Sequence, residues 1–307
     1  MKGNPLVSDF IWVDTNRKLA SAKKEILASR MIGIDTEYDS FHYFREKLCL
    51  IQIKSERKIY LLDPLNFLNL SFLGDSFSNP DIPKIVHAGD NDIRLLKRDF
   101  GFEFKNVFDT QRAAAALGYR QLSLASVVQG ALGIELKKNK RIQRSQWDVR
   151  PLSDEQKEYA AQDIEHLFEL YEALRKELEK RGLEEKARQA FVEIAAVRWS
   201  EKTLDPYGYL RIAACQDLKK NQKERLKALY QWRFQKAKST NTAVFMVLSD
   251  QDLIEISRFK IQSLYSLKKN YRIAEGKINR FGAEIVEVLN SADDSRALQA
   301  GEGQLLV

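Results

Sequence analysis

The stretch MIGIDTEYDSFHYFREKLCLIQIKSERKIYLLDP, residues 31–64, decides the fold. It holds three apolar runs. MIGIDTEYD (31–39) closes in acids, KLCLIQIKS (47–55) alternates and is rich in Leu and Ile, and RKIYLLDP (57–64) follows almost at once. Short runs of this composition read as strands, and the last two, parted by a few polar residues, read as an antiparallel hairpin. Working outward, residues 16–29 read as a helix that ends near the first strand. On the other side come a strand at KIVHA (84–88), a helix at 90–99 and a short strand at FKNVFDT (104–110). Strands that alternate with helical stretches predict an α/β fold, a mixed central sheet flanked by helices on both faces.

From about residue 111 the chain turns helical. Residues 113–119 and 122–133 carry helical apolar spacing. KKNKRIQRS (137–145) has no apolar period and reads as an exposed loop. Residues 153–182 read as one strong helix, with Ser153 suited to the N-cap, acids in the first turn, bases at the end and Gly182 as the stop. A second helix is expected over 184–200, and DPYGY (205–209) is turn chemistry that marks a linker. Residues 211–292 read as a small all-helical module, with further short helices at 249–257, 260–266, 270–275 and 276–290. The expected division is therefore a domain over 1–200, a linker over 201–210, the helical module over 211–292 and a loose tail over 293–307.

Composition narrows the classes of function. The 307 residues include only 14 Gly and 6 Pro, which excludes wholesale disorder. No apolar run is long enough to span a membrane, and Asp9 and Asp14 break the N-terminal apolar stretch, so no secretory signal is expected. Cys49 and Cys215 are too few for a disulfide framework or a zinc ribbon. The default setting is cytoplasmic and the default state a monomer. Residues 191–290 hold 18 Lys and Arg against 11 Asp and Glu, so the whole net charge of +7 sits in that third. A basic module beside a neutral one points to a polyanion such as nucleic acid, or else to a well-solvated surface.

Asp35 and Glu37 lie at i and i+2, so on a strand both side chains leave the same face. A pair like this is commonly two surface acids at a strand end. If buried, the two repel each other unless a cation neutralises them, and a hard divalent metal with oxygen ligands is the natural solution. Asp92 follows a strand by a few residues in KIVHAGDNDIRLL and falls in the first turn of a helix, where an acid also complements the dipole. Asp90 suits a capping role better, and His87 is expected to pack or hydrogen-bond near the strand end. Tyr159 and Asp163, at i and i+4, share one face of the strongest helix. Asp163 lies beside that helix's apolar stripe rather than opposite it.

The order Asp35-Thr36-Glu37, then Asp92, then Tyr159 and Asp163 resembles the tyrosine-bearing branch of the DEDD 3′→5′ exonucleases. IDTE, HAGDND, FDTQ, LGIELKK and QWDVRPLSDEQKEYAAQD together resemble the ribonuclease D family over about residues 5–200, and 211–292 resemble an HRDC domain. Bacterial ribonuclease D often carries a second HRDC-like module, which is not expected after residue 292. The resemblance implies a ribonuclease H-like exonuclease domain followed by an all-α HRDC domain. It implies two divalent ions, Mg²⁺ or Mn²⁺. Asp35, Glu37 and Asp163 would hold the ion that binds the attacking water, and Asp35 would bridge to a second ion reached by Asp92. Tyr159 would position the water, since a phenol is a weak base at neutral pH.

Nucleic-acid contacts are expected from several groups. The basic loop offers Lys137, Lys138, Lys140, Arg141 and Arg144 to phosphates. Among the aromatics that follow Glu37, His42 and Tyr43 are the candidates to stack on 3′-terminal bases. Gln111 would line the substrate groove. Lys219, Lys220, Lys223, Arg225, Lys227, Arg233, Lys236 and Lys238 crowd one helical region, interleaved with Trp232 and Phe234. Trp147 reads as a packing anchor and Asp109 as structural. The resulting expectation is a metal-dependent 3′→5′ exoribonuclease that trims structured RNA, with tRNA precursors the family's usual substrate. Two alternatives stay open: a DNA exonuclease of the same branch, or a nucleic-acid-binding protein without catalysis.

Overall fold

The computed structural model describes residues 9–66, 69–136, 139–271 and 275–302. It divides into two compact units, Met1–Asp39 with Glu46–Ser200, and Ser40–Arg45 with Glu201–Val307. The first unit contains six strands: β1 (Phe10–Val13), β2 (Ile32–Asp39), β3 (Lys47–Lys54), β4 (Ile59–Leu62), β5 (Lys84–Val86) and β6 (Val107–Asp109). They form one sheet in the order β1-β4-β3-β2-β5-β6. The β2–β3 and β3–β4 pairs are antiparallel, and the β1–β4, β2–β5 and β5–β6 pairs are parallel, so the sheet is mixed. The predicted hairpin is β3–β4.

Helices cover both faces, and the period-2 alternation of the strands explains how. The helices α1 (Asn16–Ala28), α2 (Leu73–Ser78) and α3 (Asp90–Phe100) lie on one side. There Leu19, Ile26, Phe77, Ile93 and Leu96 pack with Ile32, Ile34, Ile51 and Ile53. The other side carries α4 (Thr110–Ala116), α5 (Leu124–Leu132), α6 (Lys140–Gln143), α7 (Asp154–Glu165), α8 (Leu167–Arg181) and α9 (Glu184–Ala196). There Leu50 and Leu61 pack with Ala160, Ala161, Ile164, Leu167 and Leu170. Gly33 belongs to this second face, since a Cβ there would meet Leu167 Cδ1 at 3.2 Å. Asp35 and Glu37, two and four residues on, share it.

The turn from β5 into α3 needs its glycine. A Cβ at Gly89 would meet Val86 Cγ2 at 2.7 Å, and the Gly89 N–H donates to Asp109 Oδ2 at 2.8 Å. Asp109 is fully buried, and its other oxygen caps α4 by accepting from the Arg112 N–H at 2.9 Å. Its structural reading is therefore the observed one. Asp90 does not cap its helix; it pairs with Arg112 at 3.0 Å.

Residues 153–182 are two helices, not one. The break is at His166 (φ −101°, ψ 13°), where the Lys54 ammonium bonds the carbonyl of Glu165. A side-chain donor on a carbonyl of the last turn competes with the helical ladder. Ser153 does cap α7, in a reciprocal box with Gln156. The expected loop at 137–145 contains the short α6, while Lys137 and Lys138 lie outside the described residues.

The second unit is helical: α10 (Lys220–Ser239), α11 (Val244–Val247), α12 (Asp250–Ser257), α13 (Leu264–Asn270) and α14 (Glu275–Glu302). Leu226 and Leu229 of α10 pack with Leu253, Leu267, Ile285 and Leu289, and Phe44 joins this core. The stretch 293–302, expected to be loose, continues α14. Asp293 there holds the buried Arg225 through two bonds of 2.8 and 3.0 Å. The segment Ser40–Arg45 also corrects the sequence reading, because it belongs to this unit. The His42 carbonyl accepts from the Ala243 N–H at 3.0 Å, and the Phe41 ring lies 4.9 Å from that of Phe245. Among the described residues no helix is long and apolar enough to cross a membrane.

Candidate active site

Strand β2 and helix α7 supply the site. The alternation of β2 sends Asp35 and Glu37 to the face on which α7 packs, and Thr36 to the opposite face. Tyr159 and Asp163 face the same place from α7, one turn apart. The Tyr159 side chain is 7% exposed and hydrogen-bonded to Asp163. Burial drives the phenol's pKa well above its ordinary value, and the negative charges of Asp163, Glu37 and Asp35 raise it further. The structure thus brings three of the expected acids, Asp35, Glu37 and Asp163, within electrostatic reach of Tyr159.

Asp92 joins through Thr36. The hydroxyl of Thr36 bonds Asp92 Oδ1, while the Thr36 N–H donates to Asp35 Oδ1 at 2.9 Å. Burial pushes the Asp92 carboxyl from 3.8 up to about 6; the Thr36 hydroxyl works against the rise, and the charge of Asp109 adds to it. Sequence reasoning missed Thr36. Its signal was a hydroxyl between two acids, on the alternate face of the strand.

All four acids offer hard oxygen ligands, a donor set that fits Mg²⁺ or Mn²⁺ rather than a soft metal. Among the described residues, however, no group of three or more His, Cys, Asp or Glu side chains forms a ready-made cation cage.

Supporting residues fix this geometry. Trp147 is 2% exposed, with its ring centroid 6.1 Å from that of Tyr159, so its role is to pack against the site. Arg150 braces the loop before α7 with bonds to fully buried Asp63 at 2.7 and 2.8 Å and to the Cys49 carbonyl at 2.6 Å. Cys49 is the extra residue where Glu37 pairs with Leu50 and Tyr38 with Leu48. Its carbonyl is turned out of the ladder toward Arg150. His87 bonds Thr110 at 2.8 Å and the Leu122 carbonyl at 3.0 Å, a structural position as expected.

The expected nucleic-acid contacts divide. Gln111 is half-buried and its amide donates to the Leu122 carbonyl at 3.3 Å. Arg141 and Arg144 are exposed at α6. His42 and Tyr43 belong to the second unit. On α10, Lys220 is exposed and Lys223 half-buried. Others of that basic cluster are committed elsewhere. Arg225 and Arg233 are buried, Arg233 bonding the Leu248 carbonyl at 2.9 Å, Lys236 pairs with Glu284 at 2.7 Å, and Lys238 pairs with Glu201 at 2.7 Å.

The sequence profile of a 3′–5′ exonuclease family matches residues 10–179, and that of the HRDC domain matches residues 222–289. Ribonuclease D of a Shewanella species is 28% identical over 94% of this chain and 74% of its own length. The exosome complex exonuclease RRP6 of Saccharomyces cerevisiae is 34% identical over 55% of this chain and 23% of its own length. The chain spans about a quarter of the length of RRP6 and its animal counterparts. Among solved structures, Escherichia coli RNase D, described as an exoribonuclease involved in structured RNA processing, is 27% identical with a TM-score of 0.66 over 93% of this chain and 75% of that one. The catalytic core of RRP6 from Trypanosoma brucei has a TM-score of 0.85 over 95% and 82% at 24% identity, a likeness of fold. The expected architecture, a mixed sheet flanked by helices with a helical HRDC module, is thus the one observed.

Proposed function

The chain belongs to the 3′–5′ exonuclease family, and from that premise we propose that it is a metal-dependent 3′→5′ exoribonuclease that trims structured RNA. The observation that carries this reading is the pair of buried Tyr159 and half-buried Asp163 on α7, set against Asp35 and Glu37 of β2. Similarity to ribonuclease D supports RNA as the polymer and the cytoplasm as the setting, with tRNA 3′ ends the substrate class put forward.

Asp35, Glu37 and Asp163 would hold one divalent ion, and Asp35 with Asp92 a second. When bound, such ions neutralise charge on the attacking and leaving oxygens of an in-line displacement. The protein's own groups do the positioning. The Tyr159 phenol keeps its proton, because burial and three carboxylates oppose its loss, so it is no base at neutral pH. Its proton is committed to Asp163, and its oxygen lone pairs remain to accept from a water and aim it. That water's oxygen bonds to phosphorus and the water gives up a proton. The bond from phosphorus to the 3′ oxygen of the penultimate nucleotide breaks, and that oxygen takes a proton. A 5′-mononucleotide leaves.

The test uses 5′-labelled RNA and DNA with Mg²⁺ or with EDTA. RNA should shorten stepwise from its 3′ end in Mg²⁺ and stay intact in EDTA. Asp35→Asn should lower the rate on the order of 10³-fold while RNA binding persists, since loss of charge neutralisation costs several kcal/mol of barrier. A wild-type rate for that variant would remove the carboxylate assignment. Faster shortening of DNA would move the chain to the DNA-degrading branch.

A further inference from the structure

Gln52 sits in the middle of β3, in the run LCLIQIK, and is 0% exposed. Neither its Oε1 nor its Nε2 has a hydrogen-bond partner. Leaving a buried carboxamide unsatisfied is costly, and native structures seldom do so without a use for the group. The residue stands directly opposite Asp35 in the antiparallel register. Opposed residues send their side chains to the same face, with Cβ atoms about 4.5–5.5 Å apart. That is the face of Glu37 and of α7. Its other neighbours there offer no partner: Leu50 precedes it by two residues, Leu61 opposes it on β4, and the Lys54 ammonium is committed to the Glu165 carbonyl. Leu50 and Leu61 pack with Ala160, Ala161 and Ile164 of α7. A Leu or Met would fill this apolar layer without the polar penalty.

We propose that Gln52 is a positioning residue of the site. Its carboxamide donates to the Asp35 carboxylate when the acids close on divalent ions, leaving the remaining lone pairs of Asp35 directed at the ions. Asp35 Oδ1 already accepts from the Thr36 N–H. The Gln52 amide would be a second donor, and together the two would fix the rotamer of the one acid that both ions share. The inference rests on the nuclease reading above. It extends that reading to a residue that touches neither ion nor substrate.

The experiment compares Gln52→Met, close in volume, and Gln52→Leu with the unsubstituted full chain. Mn²⁺ binding is measured by calorimetry without RNA, together with thermal unfolding and the kcat and KM for RNA. The proposal expects Mn²⁺ affinity to fall roughly 10–100-fold, the usual effect of removing a group that orients a metal ligand. It expects kcat to fall with KM for RNA unchanged, and metal-free thermal stability to hold or rise as the unsatisfied amide is removed. Unchanged Mn²⁺ affinity and kcat in both variants would overturn it. So would loss of folding in both, which would make Gln52 purely structural. If the unsubstituted chain bound no Mn²⁺, the nuclease reading would fall and this proposal with it. Normal binding by the parent and by Gln52→Met would remove the role of Gln52 alone.

Discussion

The Tyr159 hydroxyl faces Asp163, Glu37 and Asp35. It lies under three carboxylates and in apolar surroundings, so it holds its proton through the whole working pH range. Tyr159→Phe removes the water-positioning oxygen and the donor to Asp163 but keeps the ring against Trp147. Cleavage should slow about 10²–10³-fold, as when a single positioned hydrogen-bonding group is lost, with RNA affinity nearly unchanged. Because the phenol does not titrate, the parent's pH–rate profile should show no tyrosine limb that the variant lacks; single-turnover rates from pH 6 to 10 check both points. Asp92 makes a second prediction. Its pKa, raised from 3.8 to about 6, means the folded chain holds this proton more tightly than the unfolded chain. Metal-free stability from this group therefore falls as pH rises through that window. A cation competes with the same proton, so Mn²⁺ affinity should climb as pH rises to about 6 and flatten above it. Calorimetry from pH 5 to 8 on the parent and Asp92→Asn tests this, since the variant should lose that part of the slope. The acids and Tyr159 were legible because strand and helix periods place them on shared faces. Thr36 and Gln52 were not: Thr36 matters through Asp92 of α3, 56 positions away, and Gln52 through Asp35 opposite it on β2, and one sequence states neither the tertiary contact nor the pairing register.

At the scale of elements, local signals succeeded where one side chain or one turn decides. Ser153 capped α7 as its position in the sequence suggested, and the run of strand, glycine turn and helix that carries Asp92 followed from KIVHAGD. They failed where a distant group intervenes. The break at His166 depends on Lys54, which is 111 positions away from Glu165. The continuation of α14 past residue 292 comes with a demand from α10. Arg225 is 5% exposed, and its guanidinium is held by Asp293 in a two-bond pair. Asp293→Ala strands that buried charge and should destabilise the helical unit by about 3 kcal/mol, near the low end of the range for breaking a buried pair because Asp293 keeps some water contact. Ending the chain at residue 292, the boundary that sequence patterning suggests, should do the same. The double substitution Arg225→Met with Asp293→Leu should recover most of the loss, since apolar replacement of both partners is often neutral. Chemical denaturation of the two full-chain variants and the shortened chain measures it. Equal stability of Asp293→Ala and parent would make the pair ornamental.

For the whole molecule, charge is the property that sequence states most directly and structure most redistributes. The excess of +7 is confined to residues 191–290, and that asymmetry needs no fold to be seen. Which of those cations can meet a phosphate does need one. Arg225 and Arg233 are buried, and Lys236 and Lys238 are paired, while Lys220 and Lys223 occupy the first turn of α10. Membership of Ser40–Arg45 in the helical unit was equally hidden, because the segment lies between two strands of the other unit and only contacts distant in sequence, such as the seating of Phe44 in the helical core, reveal it. Each phosphate contact on a single strand contributes about 0.7 to the slope of log affinity against log salt. If Lys220 and Lys223 each touch a phosphate, replacing both with Ala should reduce that slope by about 1.4 and weaken RNA binding most at low salt. The chemical step at saturating RNA should be unaffected, because these residues lie outside the unit that carries the acids. Lys236→Ala removes the same charge from the same helix but breaks only an internal pair with Glu284, so its slope should match the parent. Filter-binding titrations from 50 to 300 mM salt would separate the two cases. Equal slopes for parent and double variant would mean that α10 is merely solvated and that the grip on RNA comes from elsewhere, with Arg141 and Arg144 of the first unit the next pair to replace.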